Sequence, residues 1–295
     1  MIGSRWVFVA ALAAAVSLAS AVPAVARPVA GTPPVPSYVA LGDSYTAGPL
    51  IPPQTGMPPG CARSNRNYPA LVAATVGAVE FRDASCSGAT TRDLTAPQTT
   101  RAGVNPPQLD ALTPDTRLVT LGIGGNDLGF GEIVQECAAR SPREPAGAAC
   151  RDFYTAGGTD RLAARIADTA PAVAAALAGI ARRSPTARVL LVGYPALLPD
   201  AGPGCFPAVP FSPGDVAYLR ETQLRLDAML VRQARAAGVD HVDTYRPSIG
   251  HDMCQLPGVK WVEGLVPTSP AAPVHPNALG MTATAQAVVR TLDAR

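Results

Sequence analysis

Apolar and β-branched runs recur along the chain at intervals suited to strands alternating with helices. Residues 38–41, Tyr-Val-Ala-Leu, form the first run and stop abruptly at Gly42-Asp43-Ser44. Residues 78–84 alternate well enough for a second strand and enter the turn Ser85-Cys-Ser-Gly-Ala-Thr-Thr91. Residues 117–123 are nearly all apolar or β-branched, as a strand covered on both faces requires, and lead into Gly124-Gly-Asn-Asp127. Residues 188–193 and 239–245 supply a fourth and a fifth strand. Helical spacing fills the gaps at 68–76, 160–183, 213–237 and 277–292, with Gly238 at a C-cap position and Pro171 expected to kink or divide its helix. Residues 128–159 read as an irregular insertion with some helix, and 51–67, 194–214 and 246–273 as loops. This alternation predicts an α/β fold: one domain over 38–295, a three-layer αβα sandwich around a five-stranded parallel sheet of flavodoxin-like type. No internal repeat or linker argues for a second domain.

The N-terminus stands apart from this pattern. Arg5 precedes an apolar run over 7–22, and Ala24-Val25-Ala26 is an A-x-A cleavage site, so residues 1–26 read as a secretory signal peptide. Residues 27–37, rich in proline, are an extended lead-in. Secretion and an extracellular location follow as expectations. No later stretch reads as a membrane span, and no stable membrane insertion is expected. The +2 of the full chain drops to +1 without Arg5, and the basic residues form no run; Lys260 is the one lysine. Nucleic-acid binding is therefore excluded as an expectation. The chain is long enough to bury its own core, and a monomer is expected.

The six cysteines, an even count behind a leader, suggest three disulfides, for which 15 pairings are possible. Joining neighbours, Cys61 with Cys86, Cys137 with Cys150 and Cys205 with Cys254, lets each bond bracket a Pro/Gly-rich loop. Each closure contributes about 3 kcal/mol. The thiols are scattered and no C-x-x-C occurs, so neither a metal nor any other cofactor is expected.

The strand ends carry the candidate chemistry. In open α/β sheets, ligands bind at the carboxyl edge, where Ser44 presents a hydroxyl. Ser44 reads either as a nucleophile or as part of a strand-to-helix turn capped by Asp43. A nucleophile needs a base, and the three histidines limit the choice. His241 falls inside a strand, and His251 sits in a loop beside Cys254, while His275 stands in Pro273-Val-His-Pro-Asn277 directly before a helix. His275 is the best placed, with Pro276 suited to a first helical turn. Gly88 and Asn126 read alone as turn residues.

Taken together and in order, Gly42-Asp-Ser44, the Gly88 turn, Gly124-Gly-Asn126-Asp and His275-Pro-Asn resemble the four blocks of the SGNH or GDSL-type esterases and lipases, in particular secreted actinobacterial members with three disulfides. The resemblance covers nearly the whole chain after the leader. It implies the SGNH hydrolase fold, Ser44 as nucleophile, His275 as general base and then acid, and an oxyanion hole from the backbone N–H of Ser44, the backbone N–H of Gly88 and the side-chain amide of Asn126. One departure stands out. Family members often carry an Asp three residues before the histidine, and here that residue is Ala272, with no carboxylate between Glu263 and His275. A backbone carbonyl at or near Ala272 is the expected partner of the imidazole, with Asp243, Asp252 or Glu263 as the alternative. The G-x-S-x-G elbow of α/β-hydrolases is absent.

The expected function is a secreted esterase or lipase acting on lipid or small acyl esters. A carbohydrate O-acetyl esterase and a non-catalytic extracellular binding protein are the alternatives. Leu50, Ile51, Phe206, Phe211 and Trp261 read as either acyl groove or core.

Overall fold

The computed structural model describes residues 34–294, besides Met1 and Gly3; the leader expected over 1–26 and most of the lead-in lie outside the described residues. The strands are β1 (Ser37–Gly42), β2 (Glu80–Asp83), β3 (Gln98–Thr100), β4 (Gly103–Asn105), β5 (Leu118–Gly122), β6 (Arg188–Val192) and β7 (Asp240–Val242). β3 and β4 make a small antiparallel hairpin, and the other five form a parallel sheet in the order β2-β1-β5-β6-β7. The helices are α1 (Ser44–Ala47), α2 (Tyr68–Thr75), α3 (Phe130–Arg140), α4 (Ala149–Thr155), α5 (Arg161–Arg183), α6 (Pro213–Ala237) and α7 (Ala278–Asp293).

Strand alternation sorts the core into two faces. Val39, Leu41, Val119 and Leu121 join Leu162 and Leu177 of α5 and Leu226 and Leu230 of α6 in one cluster. Tyr38, Ala40, Leu118 and Leu190 join Val72 of α2 and Met281 and Val288 of α7 in the other. Burying each such leucine or valine contributes about 1.5–3 kcal/mol. The expected three-layer αβα sandwich results.

Several local expectations change. β7 keeps only three of the seven residues expected, because the Asp243 carboxylate accepts the backbone N–H of Arg246 and turns the chain away. β2 is short and mostly exposed, as an edge strand is. α5 runs unbroken through Pro171. Pro171 and Ala167 are both exposed, so water can reach the carbonyl that the proline leaves without an intrahelical partner. By length and composition α5 would also suffice to cross a membrane, but its buried stripe packs on the sheet and against α6. The three disulfides pair as the sequence suggests, Cys61–Cys86, Cys137–Cys150 and Cys205–Cys254.

The strand order fixes where a ligand can enter. From β1 the chain goes to β2 on one side and later to β5 on the other, so a crevice opens between the carboxyl ends of β1 and β5. Gly42 and Gly122 are register partners at that point.

Candidate active site

Ser44 stands at the mouth of the crevice. Gly42 has φ 149°, and a Cβ there would lie 2.5 Å from the carbonyl oxygen of Gly122, so the two strand ends approach as only glycine permits. The Gln108 side chain brackets Gly42, accepting its N–H at 2.7 Å and donating to its carbonyl at 2.9 Å. Asp43 caps α1 by accepting the N–H of Tyr45 at 2.8 Å, and Gly48 closes this single turn in the left-handed region.

His275 meets Ser44 from the far end of the chain, with Nε2 and the serine Oγ 2.7 Å apart. Its Nδ1 lies 2.7 Å from the carbonyl oxygen of Pro273. A carbonyl only accepts, so Nδ1 carries the proton and Nε2 turns a free lone pair toward the serine hydroxyl. Burial pushes the imidazole pKa below 6.5, outweighing the opposite pull of the Pro273 carbonyl. This neutral tautomer suits proton abstraction.

The orienting carbonyl is thus not that of Ala272. Ala272's oxygen accepts the backbone N–H of His275 at 3.2 Å, closing a turn, and the next carbonyl is the one left facing the ring. Pro273 favours the first central position of such a turn, while Val274 holds φ 61°, uncommon for a β-branched residue. Two contacts retain this geometry: the Tyr45 hydroxyl donates to the Val274 carbonyl at 2.6 Å, and the Val274 N–H donates to Gly264 at 3.2 Å.

None of the three alternative carboxylates bonds to His275. Asp243 accepts from Arg246 and Asp252 from Cys254 and Gln255. Glu263 is fully buried and accepts from Thr268, from Asn277 at 2.8 Å and from Lys260 at 3.1 Å. Burial alone would raise its pKa, but the donors, Asn277 foremost, bring it down to about 2. Its backbone N–H donates to the His275 carbonyl at 3.0 Å, so Glu263 anchors the histidine segment without touching the ring. Asn277 caps α7 by accepting from Leu279 and Gly280.

The remaining turns gather at the same edge. The Cys86 N–H donates to the Gly42 carbonyl at 3.0 Å, bringing the Gly88 turn beside Ser44's strand. Gly88 has φ 79°, and a Cβ there would meet only Gln98 Nε2 at an ordinary 3.8 Å, so its backbone conformation, and not crowding, favours glycine. Asn126 donates one amide proton to the Ala89 carbonyl at 2.9 Å, leaving its second available. Among the described residues, the backbone N–H groups of Ser44 and Gly88 donate to no protein acceptor. His241 lies on β7 and His251 stacks on Trp261; neither joins the site.

An apolar cleft opens from Ser44 and Asn126, walled by Phe130 and Ile133 of α3, Leu219 and Leu226 of α6, and Phe211 and Met253. Of the groove candidates named from sequence, Phe211 alone lines it. Ile51 belongs to the core, Leu50 and Phe206 are exposed, and Trp261 covers His251. The other wall residues read as ordinary helix-face positions in the sequence. Sequence reasoning also missed Tyr194, which follows Gly193 at the end of β6 and so reaches the same carboxyl edge. Its hydroxyl donates to Asp43 at 2.6 Å.

Known proteins similar to this chain are lipases and esterases. A model of the GDSL-like Lipase/Acylhydrolase family matches residues 40–283. Lipase 2 of Streptomyces coelicolor is 42% identical over 258 residues, covering 86% of this chain and 85% of that protein. An esterase of Streptomyces scabiei is 33% identical, covering 83% and 80%. The crystal structure of phospholipase A1 from Streptomyces albidoflavus superposes with a TM-score of 0.72 at 25% identity, over 88% of this chain and 99% of that one. The chain belongs to the GDSL-like lipase/acylhydrolase family and is a carboxylic ester hydrolase.

Proposed function

We propose that the protein is a secreted lipase that cleaves carboxylic esters of lipid acyl chains through an acyl-enzyme on Ser44. The apolar cleft that opens at the Ser44 hydroxyl carries this reading, because a chain of methylenes gains by leaving water for such walls, about 0.8 kcal/mol for each one buried. An acetyl group would contact fewer of these walls than a longer chain. The similar proteins named lipase and phospholipase A1 support the same substrate class. The leader-like residues 1–26 and the three disulfides support secretion.

In the proposed reaction His275 Nε2 takes the Ser44 proton as Oγ attacks the ester carbon. The backbone N–H of Ser44, the backbone N–H of Gly88 and the free amide proton of Asn126 receive the oxyanion. The imidazolium then protonates the departing alcohol. Water repeats the sequence on the acyl-enzyme and restores Ser44. The Pro273 carbonyl keeps the proton on Nδ1 throughout but opposes the imidazolium charge only as a dipole.

Hydrolysis of p-nitrophenyl esters from acetyl to long acyl chains, wild type beside Ser44→Ala, tests the reading. Turnover per unit KM should rise with chain length until the cleft is filled, and Ser44→Ala should lower kcat at least about 10,000-fold. Activity that survives the substitution would overturn the nucleophile, and a preference for acetyl would overturn the lipid substrate.

A further inference from the structure

The Ser44 turn and the Asn126 turn are joined by a buried path that the proposed reaction does not use. Asp43 Oδ2 accepts the Tyr194 hydroxyl proton at 2.6 Å, and the Tyr194 oxygen accepts the backbone N–H of Gly125 at 2.9 Å. The other carboxylate oxygen is occupied by the N–H of Tyr45. The path therefore begins at the residue before Ser44 and ends at the residue before Asn126. Its members are 1% and 6% exposed at Asp43 and Tyr194, so water does not compete for these bonds.

Counting protons identifies the charge state that the path favours. Tyr194 has one proton, which goes to Asp43, and its oxygen takes the Gly125 proton. A neutral carboxyl protonated on Oδ2 would donate to the tyrosine oxygen and turn the tyrosine's own proton away from its one acceptor, and one protonated on Oδ1 would accept more weakly at both oxygens. The ionised carboxylate accepts at both oxygens with no competing proton and makes the path strongest.

We propose that Asp43 and Tyr194 are positioning residues whose ionised, hydrogen-bonded pair holds the Gly125–Asn126 peptide in register with Ser44, so that hydrolysis slows when Asp43 takes up a proton. This rests on the reading of Ser44 as nucleophile and Asn126 as oxyanion donor. The titrating groups around Asp43 are consistent with it. Burial raises the Asp43 pKa to about 7; bonds from Tyr194 and the Tyr45 N–H work against the rise, and the Asp127 carboxylate adds to it. Tyr45, Tyr68 and Tyr194 also face its charge, and each is itself held above the usual phenol range, so none ionises first. Burial raises the Asp43 pKa and lowers that of His275, so the two shift in opposite directions.

The test is the pH profile of kcat on a soluble p-nitrophenyl ester for wild type, Asp43→Asn and Tyr194→Phe. Wild-type activity should fall with a midpoint near 7, full above it and lowered about 10-fold to 100-fold below. Asp43→Asn should move the acid limb below 6.5, where His275 titrates, with the plateau lowered about 10-fold to 100-fold. Tyr194→Phe removes a bond that holds the Asp43 pKa down, so its limb should move above 7, with KM changed less than about 2-fold. A packing role alone would lower the plateau and leave the limb in place. Limbs unmoved in both variants would overturn the proposal. If Asp43→Asn does not fold, the direction of the Tyr194→Phe shift decides it. Ser44→Ala measured alongside separates the two failures: residual turnover there removes the nucleophile reading, whereas an inactive Ser44→Ala with unmoved limbs removes the positioning pair only.

Discussion

Two buried carboxylates flank the Ser44–His275 pair, and their surroundings drive them apart. Asp43 is 1% exposed and Glu263 is 0% exposed, but Asp43 sits deeper among protein atoms, so burial acts on it more strongly. Asp43 has two neutral donors, a tyrosine hydroxyl and a backbone N–H, and its pKa rises to about 7. Glu263 has the Lys260 ammonium, the Asn277 amide and both donors of Thr268, and its pKa falls to about 2. Depth together with the number and charge of donors decides whether a buried acid stays ionised. Each outcome suits its place. A permanent anion makes a fixed anchor beneath the histidine segment, and an acid near neutrality couples the serine turn to pH.

The larger effect on activity is expected on the serine side. Asn126→Ala removes the proposed oxyanion donor and also frees the Ala89 carbonyl, and we expect kcat to fall about 100-fold to 1000-fold with little change in KM or in thermal unfolding. A comparable loss in stability with a small loss in kcat would make Asn126 a turn residue only. On the histidine side the larger effect should be on stability. Glu263→Gln strands Lys260 beside a neutral amide in a site where the ammonium is 6% exposed, and we expect a cost of about 3–5 kcal/mol in denaturant unfolding at neutral pH. The sign of the pH dependence follows from the lowered pKa. Glu263's contribution is present above its ordinary 4.5 and is lost as pH falls through about 2, so the gap between wild type and variant should close in that window. A gap that persists at the acid end would show that the residue acts through packing.

Much of the fold was legible because buried parallel strands leave continuous apolar runs, and the four glycine or histidine turns lie close to fixed points of those runs. The disulfide pairing was legible too, since each bond closes a local loop. What escaped was carried by groups that leave no mark in a sequence. The partner of His275 is a main-chain carbonyl, and which carbonyl it is depends on a turn that already uses Ala272 for the backbone and holds Val274 at positive φ. The cleft walls come from α3 and α6 residues such as Ile133, Leu219 and Leu226, whose spacing is that of any helix facing a core. Tyr194 ends an apolar strand like many aromatic residues, and only the crossing of β6 beside β5 brings it to Asp43 and Gly125. Pro171 overstated its effect because its helix turn faces water.

In the proposed reaction His275 serves Ser44 as a neutral base oriented by the Pro273 carbonyl, without a carboxylate. Nitrogen-15 NMR of the imidazoles tests it most directly, since the chain has only three histidines and His275→Ala assigns the signal. We expect, at pH values where Asp43 is ionised, a protonated Nδ1 and an unprotonated Nε2, with the ring titrating below 6.5. A signal with the proton on Nε2, or a ring titrating well above 6.5 as a carboxylate neighbour would cause, would contradict it.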